Sequence, residues 1–322
     1  MNQLLATQFL NTIEAALESL RYPYGAATLC NPIKYTFASG GKRIRPILTM
    51  AAAQAVCSKG EVALRQALAI EMFHNFTLIH DDVMDHSDRR RGHQTVVRRW
   101  GENQAILSGD ALMTMATQML ISDCPADKLN AALELFNTTA MDVYRGQQLD
   151  TDFEHLSRVS VNRYVDMVRL KTSVLLGCAC RMGALMAGAD SAQQQLFYQY
   201  GENLGVAFQL RDDWLDSFGD PAVFGKNIGG DIVNHKKTWL FITASHEAPE
   251  TMAAALSEGR SRAALIARVK KVYKMLKLSE RCDTLIWDYY NRAVDAINRT
   301  DISEESRCWF EALASQMCHR SK

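Results

Sequence analysis

The sequence predicts an all-α chain, and three observations carry that expectation. Apolar residues recur at helical spacing over stretches free of Gly and Pro, as in Ala67, Leu68, Ile70, Met72, Phe73, Phe76, Leu78 and Ile79. Only 6 prolines occur among 322 residues, with hydrophobic content of 48% and charged content of 22%, far from a disordered composition. No short-period repeat or low-complexity linker divides the chain, so one helical domain over residues 1–322 is the simplest account. Lys+Arg and Asp+Glu both number 36, leaving no global charge for nucleic acid or an anionic membrane, so any electrostatic function is local. The 8 cysteines form no CxxC pair and read as reduced thiols of a cytoplasmic protein rather than as zinc ligands. The first twenty residues lack the basic start and apolar run of a secretory signal, and no window approaches a membrane span.

Taken in order, residues 2–20 form the first predicted helix, ended by Tyr22-Pro23-Tyr24-Gly25, and Asn31-Pro32 opens a short second one that runs to Gly40-Gly41. Gly40-Gly41-Lys42-Arg43-Ile44-Arg45-Pro46 follows. Its glycines permit close backbone approach, Lys42 offers a point charge and Arg45 a bidentate fork, so the stretch is either an anion cradle or a basic helix start without a ligand. Ile47–Val56 continues as an Ala-rich helix, broken at Cys57-Ser58-Lys59-Gly60. The apolar helix through Ile79 then runs into His80-Asp81-Asp82-Val83-Met84-Asp85, with His74 two turns before Asp81. A lone histidine on an apolar face is more often a core residue than a ligand, and His80 is open in the same way. Asp88-Arg89-Arg90-Arg91-Gly92 is either internal surface neutralisation or a set of arginines that grip a diphosphate.

Gln94–Trp100 reads as a connection and Asn103–Ile121 as a long helix whose Asp110 is expected in a buried hydrogen bond. Ser122-Asp123-Cys124-Pro125 stops it, and Lys128–Leu149 forms the next, with Gly146-Gln147-Gln148-Leu149-Asp150 near its end. Asn162–Ala187 is read as one helix carrying Lys171-Thr172, whose small and apolar neighbours favour a cleft over solvent. Ala192–Phe218 is another, followed by a turn at Phe218-Gly219-Asp220-Pro221 and a glycine loop, Gly225–Asp231, with the single lysine Lys226. Lys236-Lys237-Thr238 opens an apolar segment through Ile242, residues 251–297 give amphipathic helices, and Ser303–Cys318 closes the chain.

The acidic triplets carry the chemistry. Asp81 and Asp85 fall one turn apart on one helical face. Carboxylates that close do not both stay ionised in a partly buried setting without a strong positive charge, which a hard divalent ion supplies. The pattern returns as Asp212-Asp213-Trp214-Leu215-Asp216. For one cluster alone, a solvated helix face or an N-terminal acidic turn is the better reading; two copies, each on an apolar helix, reverse that. Mg2+ takes one or two protein carboxylates and completes its octahedron with water and substrate phosphate oxygens, so two facing aspartate helices predict a metal-bridged diphosphate.

Together, Gly40–Pro46, Asp81–Asp85 with Arg90-Arg91-Gly92 after it, Lys171-Thr172 and Phe208-Gln209-Leu210-Arg211-Asp212-Asp213-Trp214-Leu215-Asp216 resemble the trans-isoprenyl diphosphate synthases, in register over roughly residues 34–242. The resemblance implies a single-domain isoprenoid-synthase helical bundle with a central cavity, assembled as a homodimer. It implies magnesium-dependent, head-to-tail condensation of isopentenyl diphosphate with an allylic diphosphate, with no nucleic-acid partner and no integral membrane segment. By position, Asp81, Asp85 and Asp212 match the metal ligands of the DDxxD motifs, and Asp82, Asp213 and Asp216 match supporting residues. Lys42, Arg45, His74 and Arg91 match the isopentenyl diphosphate site; Arg90, Lys171, Lys226 and Lys236 match the allylic diphosphate site; Thr172 and Gln209 match residues lining the reacting carbons. His235-Lys236-Lys237 departs from the family's usual Gly-Lys or Asn-Lys lead. The released diphosphate takes the final proton in the family, so no protein general base is assigned.

Product length is read from the helix before Asp81. Phe76 stands about 7–8 Å and Phe73 about 12 Å up its axis. Long-chain members of the family tend to have a small residue at the Phe76 position, and many farnesyl synthases have aromatics at both the Phe76 and Thr77 positions. The resemblance therefore implies fifteen to twenty carbons here, geranylgeranyl ahead of farnesyl. Ordinary core roles for both rings stay open. The alternatives are a longer-chain polyprenyl synthase, a class I terpene cyclase, which needs no counterpart of Lys42, Arg45 and His74, and a non-catalytic partner subunit, whose aspartate clusters should be eroded.

Overall fold

Long apolar periods with few breakers leave the backbone one way to satisfy its own polar groups, and the computed structural model, which describes residues 3–22, 27–219, 228–257 and 261–319, is all-α. In chain order come α1 (Gln3–Glu18), α2 (Ala27–Ala38), α3 (Ile44–Cys57), a 3₁₀ turn (Gly60–Ala63) leading into α4 (Leu64–Met84), α5 (Val96–Trp100), α6 (Glu102–Ile121), α7 (Ala126–His155) and α8 (Val161–Val168). A π-helical turn (Arg169–Ser173) joins α8 to α9 (Val174–Met186), followed by α10 (Ser191–Phe218), α11 (Gly230–Val233), α12 (Trp239–Glu247), α13 (Pro249–Ser257), α14 (Arg262–Met275), α15 (Leu278–Asn298) and α16 (Glu304–Cys318). Among the described residues the β-structure is one two-residue pairing, Arg89–Arg90 antiparallel to His93–Gln94.

Three expectations on element limits change. Pro32 lies inside α2 rather than at its start; lacking an amide proton, it leaves the carbonyl one turn back without its usual partner. The expected connection Gln94–Trp100 contains α5, because Thr95 caps it: its Oγ1 accepts from the Arg98 amide at 3.2 Å and donates to the Ser87 carbonyl at 2.6 Å. The helix expected over Asn162–Ala187 is interrupted by the π turn, which re-registers the backbone at Lys171-Thr172.

The residues separate into two compact units. The first comprises Met1–Asn137, Ala179–Gln195 and Asp301–Ser306; the second comprises Thr138–Cys178, Leu196–Thr300 and Arg307–Lys322. In the first unit α4 is the central helix. Residues from Gln66 to Phe73 are all buried, which is what an apolar pattern on every side of a helix demands. α4 packs on α3 and α6, and Gly109 of α6 leaves the space into which His80 of α4 projects. Gly183 of α9 lies against the Thr49 carbonyl of α3, with no room for a Cβ.

In the second unit glycines do this at several points around the π turn. An added Cβ on Gly146 of α7 would overlap the Lys171 amide, one on Gly205 of α10 would lie 2.5 Å from the Ser173 Cα, and one on Gly201 would overlap the Leu176 carbonyl. The core of this unit includes the fully buried rings of Tyr164, Phe197, Tyr200, Tyr273 and Phe310. We expect Gly205→Ala to destabilise the chain by about 1–3 kcal/mol through overpacking, read as a lowered urea midpoint; an unchanged midpoint would show that α10 can shift freely against the π turn.

Candidate functional site

Both aspartate triplets lie in the last turns of their helices, Asp81–Asp85 at the C-terminal end of α4 and Asp212–Asp216 near that of α10. This excludes the N-terminal acidic turn. Carboxylates at a helix C-terminus add to the negative end of its dipole, and both together favour a cation.

In the first unit, the glycine turn before α3 serves a side chain. Gly40 and Gly41 have φ of 75° and 151°. The Arg91 guanidinium donates to the Gly40 carbonyl and would lie 2.8 Å from a Cβ on Gly41. Arg91 and Gly92, with φ of 52° and 80°, make the tight turn of the Arg89–Gln94 hairpin that presents this guanidinium. Of the three cations after the glycines, Lys42 is exposed and Arg43 is turned inward. Arg43 Nε donates to Glu14 Oε1 at 2.8 Å, its Nη1 to Glu71 Oε1 at 2.9 Å and its Nη2 to the Phe37 carbonyl at 2.8 Å. Burial disfavours its charge, but Glu14 and Glu71 outweigh burial and hold its pKa above the ordinary value.

Arg45 reaches His74, Nη1 donating to Nε2 across 3.2 Å, so the imidazole is neutral with its proton on Nδ1. Burial, then the charges of Arg45, Arg91, Arg90 and Arg43, hold His74 well below its usual 6.5. Burial also lowers Arg45 to about 10, with Arg91 adding to the shift and Glu71 opposing it. The Nε of Arg45 is buried and makes no hydrogen bond. An orphaned guanidinium N–H is costly and fits an incoming anionic oxygen.

The acidic run next to these cations is divided. Asp82 is buried and held by Arg90, with Nε at 2.9 and 3.1 Å from its two oxygens and Nη2 at 2.8 Å. Burial raises the Asp82 pKa and Arg90 opposes the rise. Asp81 is half-buried and Asp85 exposed. The two readings of Arg89–Arg91 therefore divide between residues: Arg90 neutralises Asp82, while Arg91 joins it on a cleft of about 350 Å3 that Tyr35, Asn75 and Asp82 also line. His80 proves to be a packing residue, its ring 4.7 Å edge-on to Phe76 and its Nε2 3.2 Å from the Ile106 carbonyl. Asp110 is not buried; its side chain is 61% exposed, 3.8 Å from His80 Nε2.

In the second unit a cleft of about 300 Å3 is lined by Asp150, Tyr164, Lys171, Thr172, Gln209, Asp213 and Lys236, with Met167 and Val168. Lys171 Nζ lies 2.5 Å from Asp150 Oδ2, and Thr172 Oγ1 lies 3.4 Å from Gln209 Oε1. Gln209 Nε2 donates to Asp213 Oδ1 at 3.0 Å, and the Tyr164 hydroxyl donates to Asp213 Oδ2. The Asp216 oxygens accept from the amides of Gly230 at 3.1 Å and Asp231 at 3.0 Å, capping α11. Asp212 is half-buried. Lys236 Nζ sits 3.9 Å from Asp231 Oδ1. Burial pushes Asp231 up to about 7 against the pull of Lys236. Burial disfavours charge on Lys236, but Asp213, Asp231 and Asp150 outweigh it and raise its pKa.

Lys171, Thr172, Gln209 and Lys236 thus line one cleft, and Arg45 with His74 forms a contact pair. Lys226 lies outside the described residues. Sequence reasoning assigned no role to Asp150, Tyr164 or Asp231. A signal existed for Asp150, which stands one turn after Gly146, the glycine seated against the Lys171 amide.

An all-helical fold with aspartate-rich helix ends and clustered guanidinium and ammonium groups has the parts of a diphosphate-handling prenyltransferase. Comparison with known proteins agrees. The polyprenyl synthetase family model matches residues 26–276. A geranylgeranyl diphosphate synthase of Methanosarcina mazei is 38% identical over 234 residues, 72% of each chain. A crystal structure of a geranylgeranyl pyrophosphate synthase superposes over 100% of both chains with TM-score 0.92 and 38% identity. Another, from Corynebacterium glutamicum, complexed with isoprenyl diphosphate and magnesium, gives 0.82 at 29% identity over 98% of this chain and 96% of that one. The chain belongs to the polyprenyl synthetase family, the trans-isoprenyl diphosphate synthases, and is a prenyltransferase.

Because His74 is neutral in the fold and its pKa is depressed, the unfolded chain takes its proton first, and stability is lost as pH falls through 6.5. Denaturant titrations from pH 8 to 5 should show wild type losing stability relative to His74→Gln below that point; parallel curves would mean that the imidazole is not held neutral.

Proposed function

We propose that the chain is a magnesium-dependent enzyme that condenses isopentenyl diphosphate with an allylic diphosphate, head to tail and trans, giving fifteen to twenty carbons with geranylgeranyl ahead of farnesyl. The observation that carries this reading is the division inside each aspartate triplet. Asp82 is paired with the Arg90 cation and Asp213 is hydrogen-bonded by Tyr164 and Gln209, while Asp81, Asp85 and Asp212 remain partly or fully accessible at negative helix ends. Such oxygens fit a hard cation. Among the described residues no three His, Cys, Asp or Glu side chains converge into a cage, and Mg2+, which keeps waters and takes phosphate oxygens, needs none. The magnesium in the Corynebacterium relative's complex supports the choice of ion.

Asp81, Asp85 and Asp212 would hold Mg2+, which when bound would offset the negative charge developing on the departing diphosphate. Lys171 and Lys236, already paired with carboxylates in their cleft, hold the allylic diphosphate, and Arg90 and Lys226 contribute charge by position. Lys42, Arg45, Arg91 and neutral His74 hold isopentenyl diphosphate, so that its alkene is aligned before the allylic carbon ionises. The carbon–oxygen bond breaks with its electron pair on the diphosphate, and the alkene's pair forms the new carbon–carbon bond. The released diphosphate then takes a proton from the condensed product, and the C–H pair restores a double bond. Thr172 and Gln209 line the reacting carbons, and no nucleophilic side chain is required.

The Phe76 ring is 7% exposed, 5.6 Å from Phe73 and 4.7 Å from His80, and Phe73 lies 5.5 Å from Phe136. A braced aromatic stack of this kind supports a floor for a short product. A homodimer is supported by Ile106, Leu107 and Ile121 of α6, which are 38%, 56% and 45% exposed. All eight cysteines are free thiols, which suits the reducing cytoplasm.

Asp81→Ala and Asp212→Ala should each lower incorporation of labelled isopentenyl diphosphate by more than about a hundredfold with helical circular dichroism retained; near-normal turnover would reject the metal assignment. Label left unincorporated while wild type forms a cyclic hydrocarbon would replace the synthase reading with a cyclase. Phe76→Ala should lengthen the product by one or more five-carbon units in mass analysis, and an unchanged distribution would remove the floor.

A further inference from the structure

The second unit carries another opening that the reaction does not use. Between the α7–α8 connection, the segment before α12, and helices α12 and α13 lies an open groove of about 1200 Å3, the solvent at its mouth included. Its floor is apolar, built from the buried side chains of Val159, Phe241, Ile242 and Met252 and the half-buried Leu256. Its lining holds two cations, Arg158 and Lys237, with the imidazoles of His235 and His246 beside them, and among the described residues no carboxylate lines it. Lys237 Nζ stands 5.1 Å from the centre of the Phe241 ring, so the cationic and apolar parts of the groove meet there. The two clefts described above differ in kind, since each mixes cations with aspartates. A cleft with carboxylates can bind an anion through a metal; a groove with cations alone binds it directly.

We infer that this groove is a second binding site for a prenyl diphosphate, taken without metal, with the hydrocarbon on Phe241, Ile242, Met252 and Leu256 and the diphosphate on Arg158, Lys237 and His235. The inference rests on the proposed prenyltransferase reaction, which makes that amphiphile. The tail removes apolar surface from water, and the head meets charges that no carboxylate of the groove's described lining competes for. Lys237 follows Lys236, so one short segment presents adjacent lysines to different openings, the aspartate-lined cleft and this groove.

The test is photolabelling of the full chain with a farnesyl diphosphate analogue bearing a diazirine in its tail, in EDTA and in Mg2+, with adducts mapped by peptide mass. We expect adducts within residues 239–256 in both conditions, reduced at least tenfold in an Arg158→Glu/Lys237→Glu variant and at least fivefold in Leu256→Asp, all with wild-type circular dichroism, and unaffected by Asp81→Ala. Geranylgeranyl diphosphate should compete for the label. Competition by oleoyl lysophosphatidic acid with geranylgeranyl diphosphate ineffective would overturn the isoprenoid assignment, and absence of label from 239–256 in EDTA would overturn the site. Wild-type incorporation of labelled isopentenyl diphosphate, measured on the same preparation, separates the two readings: turnover without groove label fails only the groove, whereas no turnover fails the synthase.

Discussion

The placement of Lys171 depends on side chains that are missing. Gly146 of α7 and Gly205 of α10 let those helices close on the π turn until a single Cβ at either would overlap its backbone. A π turn inserted in an otherwise α-helical run widens the helix locally and is easily lost to regular α geometry unless it is clamped. Here the clamp is steric on two sides, and it sets Lys171 against Asp150 and Thr172 against Gln209. Close backbone packing therefore determines the chemistry of this cleft more than any hydrogen bond in it does, because the bonds form only once the turn is fixed.

The same unit shows why so many carboxylates tolerate one another. Asp150, Asp213, Asp216 and Asp231 all raise the charge preference of Lys236, and each has a separate local partner: a lysine, a phenol with an amide, two backbone N–H groups, and Lys236 itself. Desolvation, which favours their protonated forms, is opposed by these partners one group at a time, though burial still raises Asp213 and Asp231 above the usual carboxylate value. In the first unit the excess is cationic. Arg43 is matched by Glu14 and Glu71 and Arg90 by Asp82. Arg45 has a neutral histidine and an orphaned Nε instead. That local imbalance is the mark of a site that expects an anion.

The acidic triplets, the cation run after Gly41 and the Lys171-Thr172 pair could be read from the chain because their chemistry is written in short contiguous strings. What could not be read was direction. Lys42, Arg43 and Arg45 look alike in sequence, yet Arg43 takes a left-handed backbone, φ 47°, and turns to carboxylates from two other helices. His80, open between core residue and ligand, is drawn into the gap at Gly109, and the aspartate one residue on, expected to be buried, is left at the surface. The glycine stretch could be read as an anion cradle or as a plain helix start, and neither reading showed that Gly41 makes room for Arg91, fifty residues away. The π turn left no sequence signal at all, since Arg169–Ser173 has ordinary helix formers on both sides. Each of these facts depends on which backbone approaches from another part of the chain, and local pattern does not contain it.

A chain with equal numbers of acidic and basic residues has no long-range field to draw in a multiply charged substrate. Its attraction for diphosphate arises from segregation, with guanidinium groups gathered about His74 and carboxylates gathered about Lys236. Segregation raises the desolvation cost of each cluster. The fold meets that cost with partners for most groups; Arg45 Nε, buried and without a hydrogen bond, and the groove beneath Lys237, whose described lining holds no carboxylate, are where the proposed oxygen anions would complete the pairing. Neutral composition and anion binding are therefore compatible: what matters is the distance from each charge to its nearest opposite, and the helices set those distances.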